Sequence, residues 1–314
     1  MATTDAGTGS PPDEPAHGGE RAPAEPAKKT SRAGRNLPAA IAVGAATGGL
    51  VIATLLLKPH FWVVLCAGAI AVASHEVVRR LREAGYLIPV IPLLIGGQIP
   101  VGLAWWRHSA GALAGFGGMV VVCMIWRLFM QDKHDRAAES PSSTPSTLSK
   151  PTYLRDASAT IFLAAWVPLF ASFAAMLVYQ KDGAARVFCL MIAVVCSDVG
   201  GYTVGVLFGK HPMVPTISPK KSWEGFAGSL VCGITATILT AHFLAHQPLW
   251  VGALLGLLLV LTCTLGDLVE SQVKRDLGIK DMGRLLPGHG GLMDRLDGVL
   301  PSAVAAWTVF TLLP

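Results

Sequence analysis

The side chains able to do chemistry are few and bunched. Between Ser271 and Asp297 the chain reads SQVKRDLGIKDMGRLLPGHGGLMDRLD, which sets Lys274, Arg275, Lys280, Arg284 and Arg295 among Asp276, Asp281, Asp294 and Asp297. A Gly288-His289-Gly290-Gly291 turn interrupts the block. Opposite charges packed between two apolar runs call for a polyanion, a divalent metal or both. Just upstream, Asp267, Glu270 and Ser271 fall at i, i+3 and i+4 and share one helix face. Asp294 and Asp297 repeat the three-residue spacing where the next apolar run begins. Magnesium typically takes one or two protein carboxylates, several waters and substrate phosphates. Asp267 with Asp294, from two helix ends, is therefore the simplest cation site. The plainer account of Asp294 and Asp297 is that they complement a helix dipole. The glycines leave backbone N–H groups open to an anion before a helix start. His289 is a phosphate donor, a proton carrier or neither, and Lys274 and Arg275 stand where a lipid phosphate would lie.

Two upstream stretches add to this block. Asp198 lies inside the apolar run CSDVGGYTVGVLFGK. A carboxylate in a membrane costs about 2.5–3.5 kcal/mol on insertion scales, so it marks a functional position or a structural hydrogen bond between helices. Gly201, Gly205 and Gly209 make a small-residue stripe suited to close helix packing. They are not a P-loop, because the spacing before Lys210 is wrong and no Ser or Thr follows. The loop HPMVPTISPKKSWEG then places Lys220 and Lys221 after a Ser218-Pro219 turn. Two fixed ammonium groups suit a triphosphate; taken alone, they are equally ordinary cytoplasmic-side charge.

Composition says what must position these groups. Of 314 residues 52% are hydrophobic and 14% charged, against about 25% charged in soluble domains. Nine apolar runs of span length are expected, at 37–57, 61–78, 87–105, 113–130, 157–178, 184–208, 226–245, 249–268 and 292–313. The fold class is thus an all-α polytopic membrane protein. Pro89, Pro92 and Pro100 make the third run the one to kink or break. With a cytoplasmic N-terminus, 21 Lys and Arg fall inside and only Lys58, Arg107, Lys181 and Arg186 outside. That bias puts both charged loops at the cytoplasmic face.

Residues 1–36 read as a disordered cytoplasmic tail, followed by a full-length apolar run rather than a short signal-peptide core. Residues 37–130 form a four-span half, 131–151 a Ser/Pro-rich cytoplasmic linker and 152–314 a five-span half carrying the chemistry. His75 and Glu76 read as interfacial. The six cysteines all sit in apolar runs without metal-ligand spacing, as small hydrophobes. The small, uneven net charge of +5 suits an anionic membrane surface better than nucleic acid.

The pattern S-x-V-K-R-x4-K-D-x-G-x2-L-P-x-H-G-G-L-x-D-R-L-D, unbroken over Ser271–Asp297, resembles the signature of the phosphatidate cytidylyltransferases. SDVGGY and ISPKKSWEG are similar to that family too, so the likeness covers roughly residue 156 onward. The first four runs match only in hydropathy. Gly201 departs from the pattern, since relatives more often carry Ala there.

The resemblance implies that CTP and phosphatidic acid yield CDP-diacylglycerol and pyrophosphate in phospholipid biosynthesis. It further implies a homodimer in the plasma membrane, Mg²⁺, and a monovalent cation such as K⁺ beside it. By motif position Asp267 and Asp294 are implied as metal ligands, with Asp198 and Asp297 in support. Lys220, Lys221, Lys274, Arg275 and His289 are implied to handle phosphates, with Ser218, Lys280, Gly290, Gly291 and Arg295 lining the substrates. The expected chemistry is in-line attack of a phosphatidate oxygen on the α-phosphorus of CTP. The alternatives are a CTP-dependent polyprenol kinase, which transfers the γ-phosphate, and a transporter, for which intramembrane Asp198 would also serve.

Overall fold

The computed structural model describes residues 37–138, 152–285 and 290–313. The expected tail, residues 139–151 of the expected linker, and His289 lie outside them.

The described chain is helical apart from one small hairpin. Helix α1 is Leu37–Leu57, α2 Pro59–Glu83, α3 Val90–Gly96 and α4 Gln98–Ala138. Then come α5 Tyr153–Ala164, a π turn at Ala165–Leu169, α6 Phe170–Leu177 and α7 Gly183–Phe208. Strands β1 Pro212–Val214 and β2 Ser218–Ser222 precede α8 Trp223–Phe243 and α9 Leu249–Asp276, and α10 Met293–Leu296 and α11 Val299–Leu312 complete the order.

Among the described residues six helical segments are long and apolar enough to cross a membrane: 59–83, 90–130, 153–177, 183–208, 223–243 and 249–276. The third and fourth expected runs share one of them. Its interruptions are Gly97 and His108, the latter with φ 50° and ψ −137°. Gly115 packs close to the backbone of Pro100, so the arms on either side of His108 fold against each other. The prolines act as expected around this break, with Pro89 before α3 and Pro100 in the first turn of α4. The run at 157–178 also holds an irregularity: Pro168 lacks an N–H, and the backbone widens there into the π turn. The last run starts its long helix only at Val299, leaving Asp294 and Asp297 on a short preceding turn.

Small residues set the helix spacing around the polar site. A Cβ on Gly200 would meet Cys232, and one on Gly228 would meet Val204 and the Gly200 carbonyl, so α7 and α8 lie in near-backbone contact. The expected stripe takes part: Gly205 faces Gly225, and Gly209 faces Ser222. At Gly201 the space for an alanine methyl is filled by the Ser229 hydroxyl, which donates to the Ser197 carbonyl at 2.8 Å. Gly252 and Gly256 of α9 press on Ile238 and Ile234 of α8. At the far end, Gly266 of α9 meets the Asp297 carbonyl and Pro301, while Gly298 meets Cys263. These contacts draw the ends of α9 and α10 together.

One buried ion pair joins α4 to α5. Arg127 Nε and Nη2 both donate to Asp156 Oδ2, at 3.0 and 2.6 Å, with both side chains fully buried. Arg127 thus serves as a core partner rather than as free flanking charge. Arg186 is likewise buried, donating to the Phe310 carbonyl at 2.9 Å. Removing one member of a buried pair strands the other charge, at about 3–5 kcal/mol. Asp156→Ala is therefore expected to lower the thermal midpoint of purified protein sharply. The double change Arg127→Met, Asp156→Leu should recover most of that loss; equal losses in both would remove the pair from the core's stability.

Candidate active site

The site is assembled from the C-terminal end of α9, the hairpin β1–β2 and the turn at α10. Local chemistry fixes the hairpin. Ser222 caps α8 by accepting from Gly225 N–H at 3.1 Å, and Glu224 accepts from the N–H groups of Lys210 and His211 at 3.1 and 3.2 Å. Along a strand successive side chains point to opposite faces, so Lys220 and Lys221 diverge. Lys221 turns inward and pairs with Asp267 at 2.5 Å, while Lys220 stays exposed. Ser218 begins β2 opposite Val214. The end of α9 is tied to the same hairpin, because Arg275 Nε donates to the Ile217 carbonyl at 3.2 Å. Gly278, at φ 65°, lets the chain leave α9, with Ile279 N–H returning to the Lys274 carbonyl at 2.9 Å.

Asp267, Glu270 and Asp297 converge, each with an oxygen within 4.8 Å of the others. Glu270 is fully buried; its Oε2 takes Lys274, and its Oε1 has no hydrogen-bond partner. Three charges at such separations repel by about 3 kcal/mol or more per pair at an effective dielectric constant near 20. A bare buried oxygen within an all-oxygen donor set fits a hard divalent cation such as Mg²⁺.

Asp294 is placed differently. It accepts from Met282 N–H at 3.1 Å and Gly291 N–H at 2.7 Å, and pairs with Lys274 at 2.6 Å. Lys274 therefore bridges Glu270 and Asp294. Gly290, at φ 83°, leaves no room for a Cβ beside Asp294. Asp198 is reached by solvent yet ringed by protein on most sides, with the Cys263 thiol at 3.8 Å and Asp267 and Lys221 in electrostatic range. Lys280 and Arg295 are exposed, and Arg295 rides on α10.

Two site residues escape sequence reasoning. Glu270 was legible only as part of a helix face, yet it joins the cluster. Glu76, expected at the interface, is buried within the protein: it accepts from Met293 N–H at 2.9 Å and packs against the Cα atoms of Gly283 and Gly291, where any Cβ would collide with it. Its neighbour Arg80 donates to the Met282 and Asp281 carbonyls at 2.9 and 3.4 Å. Helix α2 thus clamps the signature loop from about 200 residues away in sequence. Lone glutamate and arginine residues at a helix end carry no signal for so distant a contact.

Fold and site together define a polytopic helical membrane protein with an oxygen-rich polar centre flanked by lysines. Residues 38–313 match the Cytidylyltransferase family, and the chain belongs to that family. It is 74% identical to the phosphatidate cytidylyltransferase of Mycobacterium leprae, over the whole of both chains. With that of Mycobacterium bovis it shares 69% over the same extent. The enzyme of that name from Staphylococcus haemolyticus is 41% identical over 122 residues, covering 38% of this chain and 47% of that one.

Two outcomes follow from the geometry. Glu270→Gln should weaken Mn²⁺ binding, read by electron paramagnetic resonance without nucleotide, by about tenfold or more; unchanged binding would remove Glu270 from the cation set. Glu76→Ala takes away a buried acceptor, at about 1–3 kcal/mol. It should lower both the thermal midpoint and turnover although every cluster carboxylate remains, and normal turnover would show that the clamp is dispensable.

Proposed function

We infer that this chain is a phosphatidate cytidylyltransferase, joining CTP and phosphatidic acid to give CDP-diacylglycerol and pyrophosphate. The observation that carries the reading is the meeting of Asp267, Glu270 and Asp297 with Lys221 and Lys274 inside the matched family region. Full-length relatives that bear this name support it.

The reaction brings together a triphosphate and a phosphomonoester carrying about −1.5 to −2 charge. Its barrier is therefore chiefly electrostatic and positional. Asp267, with Glu270, Asp297, Asp198 and Asp294 around it, would hold Mg²⁺; when bound, the ion neutralises nucleotide phosphates and the departing pyrophosphate. Lys221, fixed by β2, faces the nucleotide side, and Lys220 reaches outward for the distal phosphates. Lys274 and Arg275 counter the charge of the attacking lipid phosphate as its oxygen approaches the α-phosphorus in line. That oxygen is already ionised near neutral pH, so no strong base is needed, and His289 acts as an electrostatic stabiliser of phosphate rather than a proton shuttle. Ser218, Lys280, Gly290, Gly291 and Arg295 line the substrates.

The remaining organisation belongs to the same proposal. The excess of Lys and Arg on one set of loops supports a site at the cytoplasmic face of the plasma membrane, nine crossings and an inside N-terminus. Pairing as a homodimer, and a K⁺ ion beside the Mg²⁺, complete it.

The test follows label from CTP into lipid. The α-phosphate label should enter chloroform-soluble product and the γ-label should leave as pyrophosphate; γ-label in lipid would make the chain a kinase instead. Asp267→Asn should abolish incorporation, and Asp294→Asn should reduce it at least about 100-fold, as expected where charges organise the reacting groups. Near-normal turnover in either would take that residue out of the machinery.

A further inference from the structure

A second polar feature lies outside the carboxylate cluster. A cavity of about 710 Å³ opens between α2, α3 and the loop 282–285. Three arginines face it, Arg79, Arg80 and Arg284, together with His75 and against the single carboxylate of Glu76. That carboxylate is already engaged by Met293 N–H, and Arg80 is spent on loop carbonyls and Glu83. Arg79 gives only its Nε to Glu83 and keeps other donors. Arg284 and His75 are exposed and, among the described residues, have no hydrogen-bond or ion-pair partner. An adjoining cavity of about 370 Å³ shares His75 and Arg79 and adds Arg82.

The rest of the lining is largely apolar, on α3 and on α2 one to two turns before the arginines. Ala71, Val72 and Leu94 make it up, and α3, which supplies Leu94, also exposes Ile91 and Ile95. Cationic donors toward the C-terminal end of α2 and aliphatic surface a turn or two before them match an amphiphile with an anionic head. The space falls in the ordinary range for a ligand pocket. A free nucleotide has no use for the aliphatic surface, and among the described residues no Phe, Tyr or Trp lines the cavity.

The cavity also touches the reacting centre. Met282 forms part of its lining, gives its carbonyl to Arg80, and gives its N–H to Asp294, the partner of Lys274. One stretch of backbone is thus the wall between the cationic cavity and the acidic cluster.

We propose that this cavity is a docking position for the lipid substrate, occupied before the headgroup passes to Lys274 and Arg275 at the reacting centre: Arg79, Arg284 and His75 bind the phosphomonoester there, and the surface at Ala71, Val72 and Leu94 takes the first acyl carbons. Arg284 falls at a position that the signature leaves unspecified, so this assignment adds a residue that the motif does not. It rests on the reading of the chain as a phosphatidate cytidylyltransferase.

The test uses full-length protein in nanodiscs of neutral lipid. Dioctanoyl phosphatidate is titrated without CTP or divalent metal, beside dioctanoyl phosphatidylglycerol and inorganic phosphate. Arg284→Gln should weaken phosphatidate binding about tenfold, and Arg79→Gln with Arg284→Gln more, as loss of charge-assisted hydrogen bonds does. Both side chains are exposed, so the thermal midpoint should hold, and His75→Gln gives an independent single variant. Phosphatidylglycerol and inorganic phosphate should compete poorly, since one lacks the doubly ionised group and the other the chains. In turnover assays KM for phosphatidate should rise by the same factor while KM for CTP stays unchanged. Unaltered phosphatidate binding in the double variant, a parallel rise in KM for CTP, or inorganic phosphate binding as well as the lipid would each overturn the proposal. Failure of the parent reading is separate: wild type that moves no CMP into lipid overturns the activity, whereas the CTP-free titration still decides the cavity.

Discussion

Mutual repulsion among Asp267, Glu270 and Asp297 is the constraint on which the rest of this structure depends. Three carboxylates within 4.8 Å of one another, one of them fully buried, cannot be left to solvent screening. The fold answers with cations delivered from different elements. Lys221 arrives on a strand and Lys274 from the turn of α9 beyond the acids, so each flank of the cluster has an ammonium group. Two lysines do not saturate three carboxylates, and Glu270 Oε1 is left bare. That deficit argues for a further cation more strongly than the acidic composition of the loop does.

Holding such charges together demands helices that approach closely without relying on polar contacts. In an apolar surrounding, association gains little from hydrophobic burial and much from fitted surfaces. The glycines of α7, α8 and α9 supply that fit, and those at 266 and 298 bring the carboxylate-bearing ends of α9 and α10 into contact. Packing and chemistry therefore share residues: a methyl added at Gly266 would push on the backbone of Asp297 itself.

Most of the architecture was legible because membrane helices announce themselves by length and hydropathy. The signature loop was legible because fixed spacing of unlike charges is rare in so apolar a chain. What stayed hidden has a common physical cause. The hairpin at 212–222 is set by the capping of Ser222 and Glu224, which a loop with three prolines does not advertise. Glu270 was visible on the right helix face, but only the turn of α10 decides that Asp297 meets it. Glu76 and Arg80 sit in the half of the chain where the motif is silent, and their partners are backbone atoms, which leave no trace in side-chain identity.

The spacing of Asp294 and Asp297 shows how two residues on one short turn divide their work. Asp297 is turned to α9, where it completes the acidic cluster. Asp294 is turned to the loop, where the N–H groups of Met282 and Gly291 occupy it. Lys274 joins the two environments, since it pairs with Glu270 on one side and Asp294 on the other. Any change in charge at the cluster must alter the pull on Lys274, and through Asp294 the seating of the loop. Because α2 grips the same loop through Glu76 and Arg80, that seating is felt in the N-terminal half as well. The acidic centre and the cationic cavity on the loop's other side are thus mechanically one device, linked through a single run of backbone.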